Sequence, residues 1–336
     1  HKIKQVGSDQ YQMSISLLPD ADGRLARSCP SEECSPGYFK IKLGTGLPAG
    51  QETSFCPYCR HEAGANDFAT KEQVRYAEDL LTKEVTDGVS RMFQDALGLG
   101  PSGKKTYGGG MFSMEMSYKP GTSPRVRLPI EDELRRDIIC PYCGLDHSVY
   151  GLATWCADCG KDIFLTHVEA EQNVVKAMLN DLDRRSEVLG PRVVAKDLEN
   201  CLEDVVSIFE ASLKAMVIRY YSGQGKSKEE MDDVLKKIGN CFQSITRAKD
   251  YFREKLAIDL EEGLDVEVVK TLSATFEMRH PIAHNLGVVD RKYLEKAQSS
   301  EKEGKEIRVT KANIETAIKG SLEILKFAHK RLCNEG

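Results

Sequence analysis

The sequence predicts a multidomain α+β protein: two small four-cysteine β modules with an intervening helix/strand module, followed by an all-α up-and-down helical bundle. Three observations lead there. Eight of the eleven cysteines fall in four short pairs in the first half of the chain. Strand-like alternation, Tyr38-Phe39-Lys40-Ile41-Lys42-Leu43, lies between the first two pairs. From Thr166 onward, apolar residues recur at three- and four-residue intervals, the period of an amphipathic helix. The expected boundaries are 1–66, 67–137, 138–165 and 166–336.

Composition narrows the function classes. The chain is 29% charged and 40% hydrophobic, as in ordinary soluble proteins. Its net charge is -5 and it has no block of basic residues, so any nucleic-acid contact must be local. No apolar run approaches the ~20 residues of a membrane helix, so no membrane partner is expected. No apolar block follows Lys2 and Lys4 as it would in a secretory signal. Cysteines in short pairs, with Cys201, Cys241 and Cys333 left in helical segments, suit metal binding in a reducing compartment, so a cytoplasmic location is expected.

Taken in order, residues 1–24 are polar with one apolar island, Ile15 to Leu18, able to add a strand or to lie loose. Cys29 and Cys34 precede the alternating stretch, and Cys56 and Cys59 follow a Gly/Pro turn region. Two close pairs joined by strands are the pattern of a zinc ribbon, each pair placing two thiolates at the corners of a tetrahedron. Thr70-Lys71-Glu72-Gln73 reads as a capping box opening a helix to about Leu97. The stripe Val74, Ala77, Leu81, Val85, Val89, Met92 and Phe93 is expected in a core.

Gly98 to Thr106 nearly spells a phosphate-binding loop, but Lys105 stands where Ser or Thr is needed. The stretch also follows a helix and leads into the strand-like Phe112, Met114, Met116, Tyr118 alternation, the reverse of a P-loop. It reads as a surface loop whose Lys104 and Lys105 could touch a polyanion. Arg125 to Leu128 suggests another short strand. Then Cys140 and Cys143, with Cys156 and Cys159, form the strongest metal signal, a glycine following each pair. His147 is a spare ligand type beside a full set of four thiolates and is expected on the surface. Both sites read as structural zinc sites, since a catalytic zinc keeps a position for water. Cross-pairing of Cys56 and Cys59 with Cys140 and Cys143 is the competing arrangement. A ribbon loop could present itself to a protein partner or trigger.

In the bundle, expected helices run over 167–188, from Pro191 to Tyr221, over 228–257, from Asp265 to Met278 and from Thr310 to Leu332, with 298–306 an exposed loop. Pro281 should end or kink the fourth helix at His280, open a short helix carrying His284, and be followed by Gly287 at the close. Arginine can fork onto a phosphate and histidine can move a proton near neutral pH. Arg279 and His284, beside Asn285, are therefore candidates for phosphodiester chemistry without a metal. Their competing roles are an ion pair of Arg279 with Glu277 or Asp290, and a buried helix end satisfied by His284.

A helical bundle holding Arg279-His280-Pro281-Ile282-Ala283-His284-Asn285-Leu286-Gly287-Val288-Val289-Asp290 resembles the HEPN superfamily, whose hallmark is an arginine, a polar neighbour, a short spacer and a histidine. The resemblance covers about residues 166–336. It implies a metal-independent endoribonuclease of toxin–antitoxin or antiviral phage-defence systems, usually a homodimer whose two Arg/His sets face one cleft. Arg279 and His284 then match the catalytic pair and His280 the polar neighbour, where asparagine is common. RNA is the implied substrate, with Asn285, Lys104 and Lys105 as substrate-binding candidates. Cofactors are two structural Zn²⁺, with no catalytic metal. The other class is a non-catalytic zinc-ribbon/HEPN adaptor that binds a protein, nucleotide or nucleic-acid partner.

Overall fold

The computed structural model describes residues 2–5, 11–48, 52–99, 103–108, 113–119, 124–134, 136–297, 299 and 301–333, with the backbone alone at 2–5 and 11–13. Small antiparallel sheets come first and a helical region of nine helices follows among the described residues. No described helix is long and apolar enough to cross a membrane.

Strands β1 (Lys2–Gln5) and β2 (Tyr11–Ser14) form a hairpin, and residues 15–20 form no strand. Strands β3 (Arg24–Ser28) and β4 (Tyr38–Lys42) belong to the first ribbon, which also holds the hairpin of β5 (Thr53–Phe55) and β6 (Glu62–Gly64). Helix α1 spans Lys71–Ala96, and β7 (Lys104–Tyr107) pairs with β8 (Met114–Ser117). Strands β9 (Arg136–Ile139) and β10 (Asp146–Val149) carry the second ribbon.

The two ribbons share one sheet. Its order is β3-β4-β10-β9, antiparallel throughout, with Ile41 opposite His147 and Phe39 opposite Val149. Phe39, Phe68, Ile138, Leu145 and Val149 are buried together beneath it. Two cations are buried along with them, each matched by two carboxylates. Lys40 lies 2.8 Å from Asp20 and 3.0 Å from Glu131; Arg24 lies 2.9 Å from Asp146 and 3.3 Å from Asp137. Breaking such a buried pair by removing one partner is strongly destabilising.

His147 is fully buried, not on the surface as expected, because β10 is an inner strand flanked on both sides. Burial pushes its pKa down to about 4, so it is neutral in the folded state. The unfolded chain binds this proton near pH 6.5, so stability is full above that value and falls as pH drops toward 4. Between pH 7 and 5.5 the wild type should lose about 1 kcal/mol more than His147→Leu, measured by urea denaturation at each pH. Parallel losses in the two proteins would refute the assignment.

Thr70 and Gln73 cap α1 as the sequence predicts: Thr70 accepts from the Gln73 amide, and Gln73 accepts from the Thr70 amide. Gln73 also donates to the Ala26 carbonyl at 2.9 Å, tying this end of the helix to β3. The rest of α1 departs from expectation. Its apolar stripe is not in a core, with Val85 57% and Met92 71% exposed. Periodicity identifies a face that, among the described residues, is met only at its end, where Phe93 stacks on Tyr118 at 6.1 Å. Residues 124–134 form no strand; Arg127 bonds Asp79 of α1 through its backbone N–H. Phe112 lies outside the described residues.

The bundle breaks more often than heptads suggest. The expected helix over 167–188 is two, α2 (Phe164–Asn180) and α3 (Leu182–Leu189), parted at Asp181. Gly190 at φ 88 and Pro191 open α4 (Pro191–Gly223) as predicted. The expected helix over 228–257 is also two, α5 (Lys228–Ile238) and α6 (Ile245–Leu256), because Gly239 takes φ 50 and Cys241–Gln243 tightens into a 3₁₀ turn. Then come α7 (Val266–Glu277), α8 (Arg279–Asn285), α9 (Arg291–Ala297), which the sequence reading missed, and α10 (Lys311–Leu332). Helix α10 packs on α4, α7 and α2. Phe209 of α4 meets Phe276 of α7 edge-on at 5.3 Å, and a Cβ on Gly320 of α10 would stand 3.1 Å from Leu272 of α7. These two contacts fix α7, and with it the start of α8.

Candidate metal centres and a histidine cluster at a helical break

Each cysteine quartet closes within its own ribbon. The sulfurs of Cys29, Cys34, Cys56 and Cys59 lie within 4.8 Å of one another, and so do those of Cys140, Cys143, Cys156 and Cys159. This removes the competing cross-pairing. The nearest sulfurs are 3.6 and 3.7 Å apart in the first set and 3.5 and 3.7 Å in the second. A disulfide requires about 2.05 Å. A tetrahedral ion with metal–sulfur bonds of about 2.3 Å has sulfur–sulfur edges of about 3.8 Å, so both sets fit a metal ion.

The backbone supports the same chemistry. Tyr58 and Tyr142 point their N–H groups at Cys56 Sγ and Cys140 Sγ, at 3.5 and 3.4 Å. Arg60, Gly144 and Gly160 each donate to the carbonyl of the first cysteine of their pair and take positive φ, at 62, 78 and 63. The sequence shows the two glycines but hides the left-handed arginine. Burial pushes the Cys143 thiol up to about 11, so this sulfur sheds its proton only with a cation beside it. A Cβ on Gly160 would meet the Phe55 ring at 3.0 Å. Gly160→Ala should therefore cost about 1–3 kcal/mol from left-handed strain and crowding, read as a lower denaturation midpoint; an unchanged midpoint would refute the packing.

The second candidate site lies where α7 gives way to α8. Pro281 offers no N–H to the Glu277 carbonyl and its ring crowds that group, so α7 ends at Glu277, earlier than the expected break at His280. Pro281 then sits in the first turn of α8, as predicted. Leu286 caps the helix with a left-handed φ of 51, and Gly287 at φ 83 donates to the Pro281 carbonyl at 2.9 Å. The following chain is held by Ile307, whose N–H donates to the Gly287 carbonyl at 2.7 Å.

On α8, His280 and His284 are one turn apart, ring centroids 5.0 Å from each other. His284 is exposed and therefore does not satisfy a buried helix end. Asp290 gathers the cluster: it accepts from the Asn285 amide at 2.7 Å and lies 3.7 Å from His280 Nε2. Burial lowers the His280 pKa, helped by the charges of Lys292 and Lys296 on α9 and opposed by Asp290. Arg279 is half-buried and donates to Gln243 Oε1 at 2.9 Å, rather than pairing with Glu277 or Asp290. Gln243 in turn donates to Glu210 at 2.8 Å. Five positions along a helix place Arg279 and His284 about 140° apart, so the cluster unites His280, His284, Asn285 and Asp290 while Arg279 faces α4 and the 3₁₀ turn. Lys104 and Lys105 sit on β7, paired with Glu115 and placed over Tyr107, and take no part in these contacts.

No family model, curated protein or solved structure matches this chain.

Proposed function

We propose that the chain is a metal-independent endoribonuclease of HEPN type, an effector of toxin–antitoxin or phage-defence systems, acting as a homodimer in the cytoplasm. The observation that carries the reading is the exposed His284 at a helical break, beside His280, on which the charges of Lys292 and Lys296 act. RNA supplies its own nucleophile, the 2′-hydroxyl. His284 moves a proton in that attack or at the leaving 5′-oxygen. Arg279, once turned from Gln243, stabilises charge developing on the phosphoryl oxygens. Asn285, Lys104 and Lys105 contact substrate. Zinc fills both cysteine quartets as a structural ion, and no metal enters the reaction.

The test is incubation of a mixed RNA pool with the purified chain in a chelator that leaves it folded. Products ending in 2′,3′-cyclic phosphate and 5′-hydroxyl are expected; 3′-hydroxyl ends would exclude this chemistry. A second reading, a non-catalytic adaptor, is favoured by the inward hydrogen bond of Arg279 to Gln243. It is the reading left if no RNA is cut.

A further inference from the structure

The ribbons meet the bundle at an open cleft of about 370 Å³ that neither proposal above uses. At its centre stands Trp155, the only tryptophan of the chain. Two guanidinium groups lie over its ring, Arg60 of the first ribbon at 4.4 Å from the centroid and Arg219 of α4 at 4.2 Å. Arg219 is anchored, bonded to Asp162 and to the Cys333 carbonyl. Asp162 is fully engaged, since His329 also approaches it at 3.1 Å. Arg60 and Lys161 have no carboxylate partner among the described residues; Lys161 rests 4.8 Å over the ring of Tyr142, which is 58% exposed. The cleft thus combines two aromatic faces, one fixed cation and one uncompensated cation, Arg60, with Lys161 beside it over the Tyr142 ring.

Arg60 is the unusual member. It holds a left-handed conformation where the second ribbon uses Gly144 and Gly160, so the turn itself does not require an arginine. Its side chain is exposed and held by a cation–π contact, which is weak in water compared with a forked, charge-assisted bond to phosphate.

We propose that this cleft binds a nucleoside phosphate: Arg60 and Lys161 take the phosphate, Arg219 supports it, and the base stacks on Trp155. Cations beside aromatic rings are what such a ligand needs, because every base offers a π-face and every phosphate a forked acceptor. The ligand can be a free nucleotide or one nucleotide of a single strand. The proposal is independent of the α8 cluster and stands or falls separately.

The lone indole gives the readout. The metal-loaded full chain is titrated with ADP, adenosine, inorganic phosphate and a short single-stranded 2′-deoxy oligonucleotide, which the 2′-hydroxyl route cannot cut, while Trp155 fluorescence is followed. Saturable quenching by ADP or by the oligonucleotide is expected, and the tighter of the two names the source. Adenosine and phosphate alone should each bind at least about tenfold more weakly. Arg60→Ala should weaken binding about tenfold, and Lys161→Ala should weaken it as well. Both residues are on the surface, and metal content checks that the variants remain folded. No saturable change with ADP or oligonucleotide at millimolar concentration, or unaltered affinity in Arg60→Ala, would overturn the proposal.

Discussion

Replacing Cys156 by serine is expected to release metal from the second ribbon and to unfold both ribbons together. Cys156 is fully buried and supplies one of four sulfurs, so the substitution leaves three thiolates and a hydroxyl around the ion. Structural zinc sites contribute apparent binding free energies of about 10–16 kcal/mol near neutral pH, far above the net stability of a small domain. The loss should spread, because β10 of the second ribbon is hydrogen-bonded directly to β4 of the first and the two ribbons share one buried cluster. Metal analysis of Cys156→Ser should find well under one ion per chain, against two expected for the wild type. A variant that keeps one full equivalent and an intact first ribbon would show that the ribbons fold as separate units.

His284→Ala should lower RNA cleavage by about 10²–10⁴-fold, the usual contribution of a positioned general acid or base. Arg279→Ala should act by a comparable factor if its guanidinium meets the phosphoryl group, since removing one transition-state donor typically costs about 10²–10³. Both substitutions should leave stability nearly unchanged at His284, which is exposed, and reduce it at Arg279, which is half-buried and bonded to Gln243. Initial rates and denaturation midpoints measured on the same samples separate the two effects. Equal cleavage by wild type and both variants would place the activity elsewhere.

Short-range chemistry was legible in the sequence. The Thr70/Gln73 box, the Gly190-Pro191 boundary and the Thr310 start of α10 each depend on residues within four positions, and the structure places all three as expected. The four cysteine pairs were legible for the same reason, because each pair needs only its own turn. Long-range partnership was not. Nothing in the residues of β10 says that β4 will lie beside it, so His147 could not be recognised as buried. The stripe of α1 shows the converse: its period defines a face without specifying what meets it. The break between α5 and α6 rests on one glycine in an otherwise strongly periodic stretch. At α8 the helical break was legible from Pro281, yet its position was set by the carbonyl four residues earlier. The inward turn of Arg279 depended on Gln243, remote in sequence.

The tie between Gln73 and the Ala26 carbonyl has a further consequence for how this chain can vary. The backbone leaves the shared sheet beside β3 and rejoins it at β9, so most of α1 and the whole β7–β8 hairpin form an insertion between two fixed points. Closing a longer or shorter loop between such points changes the free energy by only about 0.6 kcal/mol per doubling of length. The insert can therefore be lengthened, trimmed or exchanged between homologous chains at little expense to the sheet, while the positions of the two cysteine quartets tolerate no such drift.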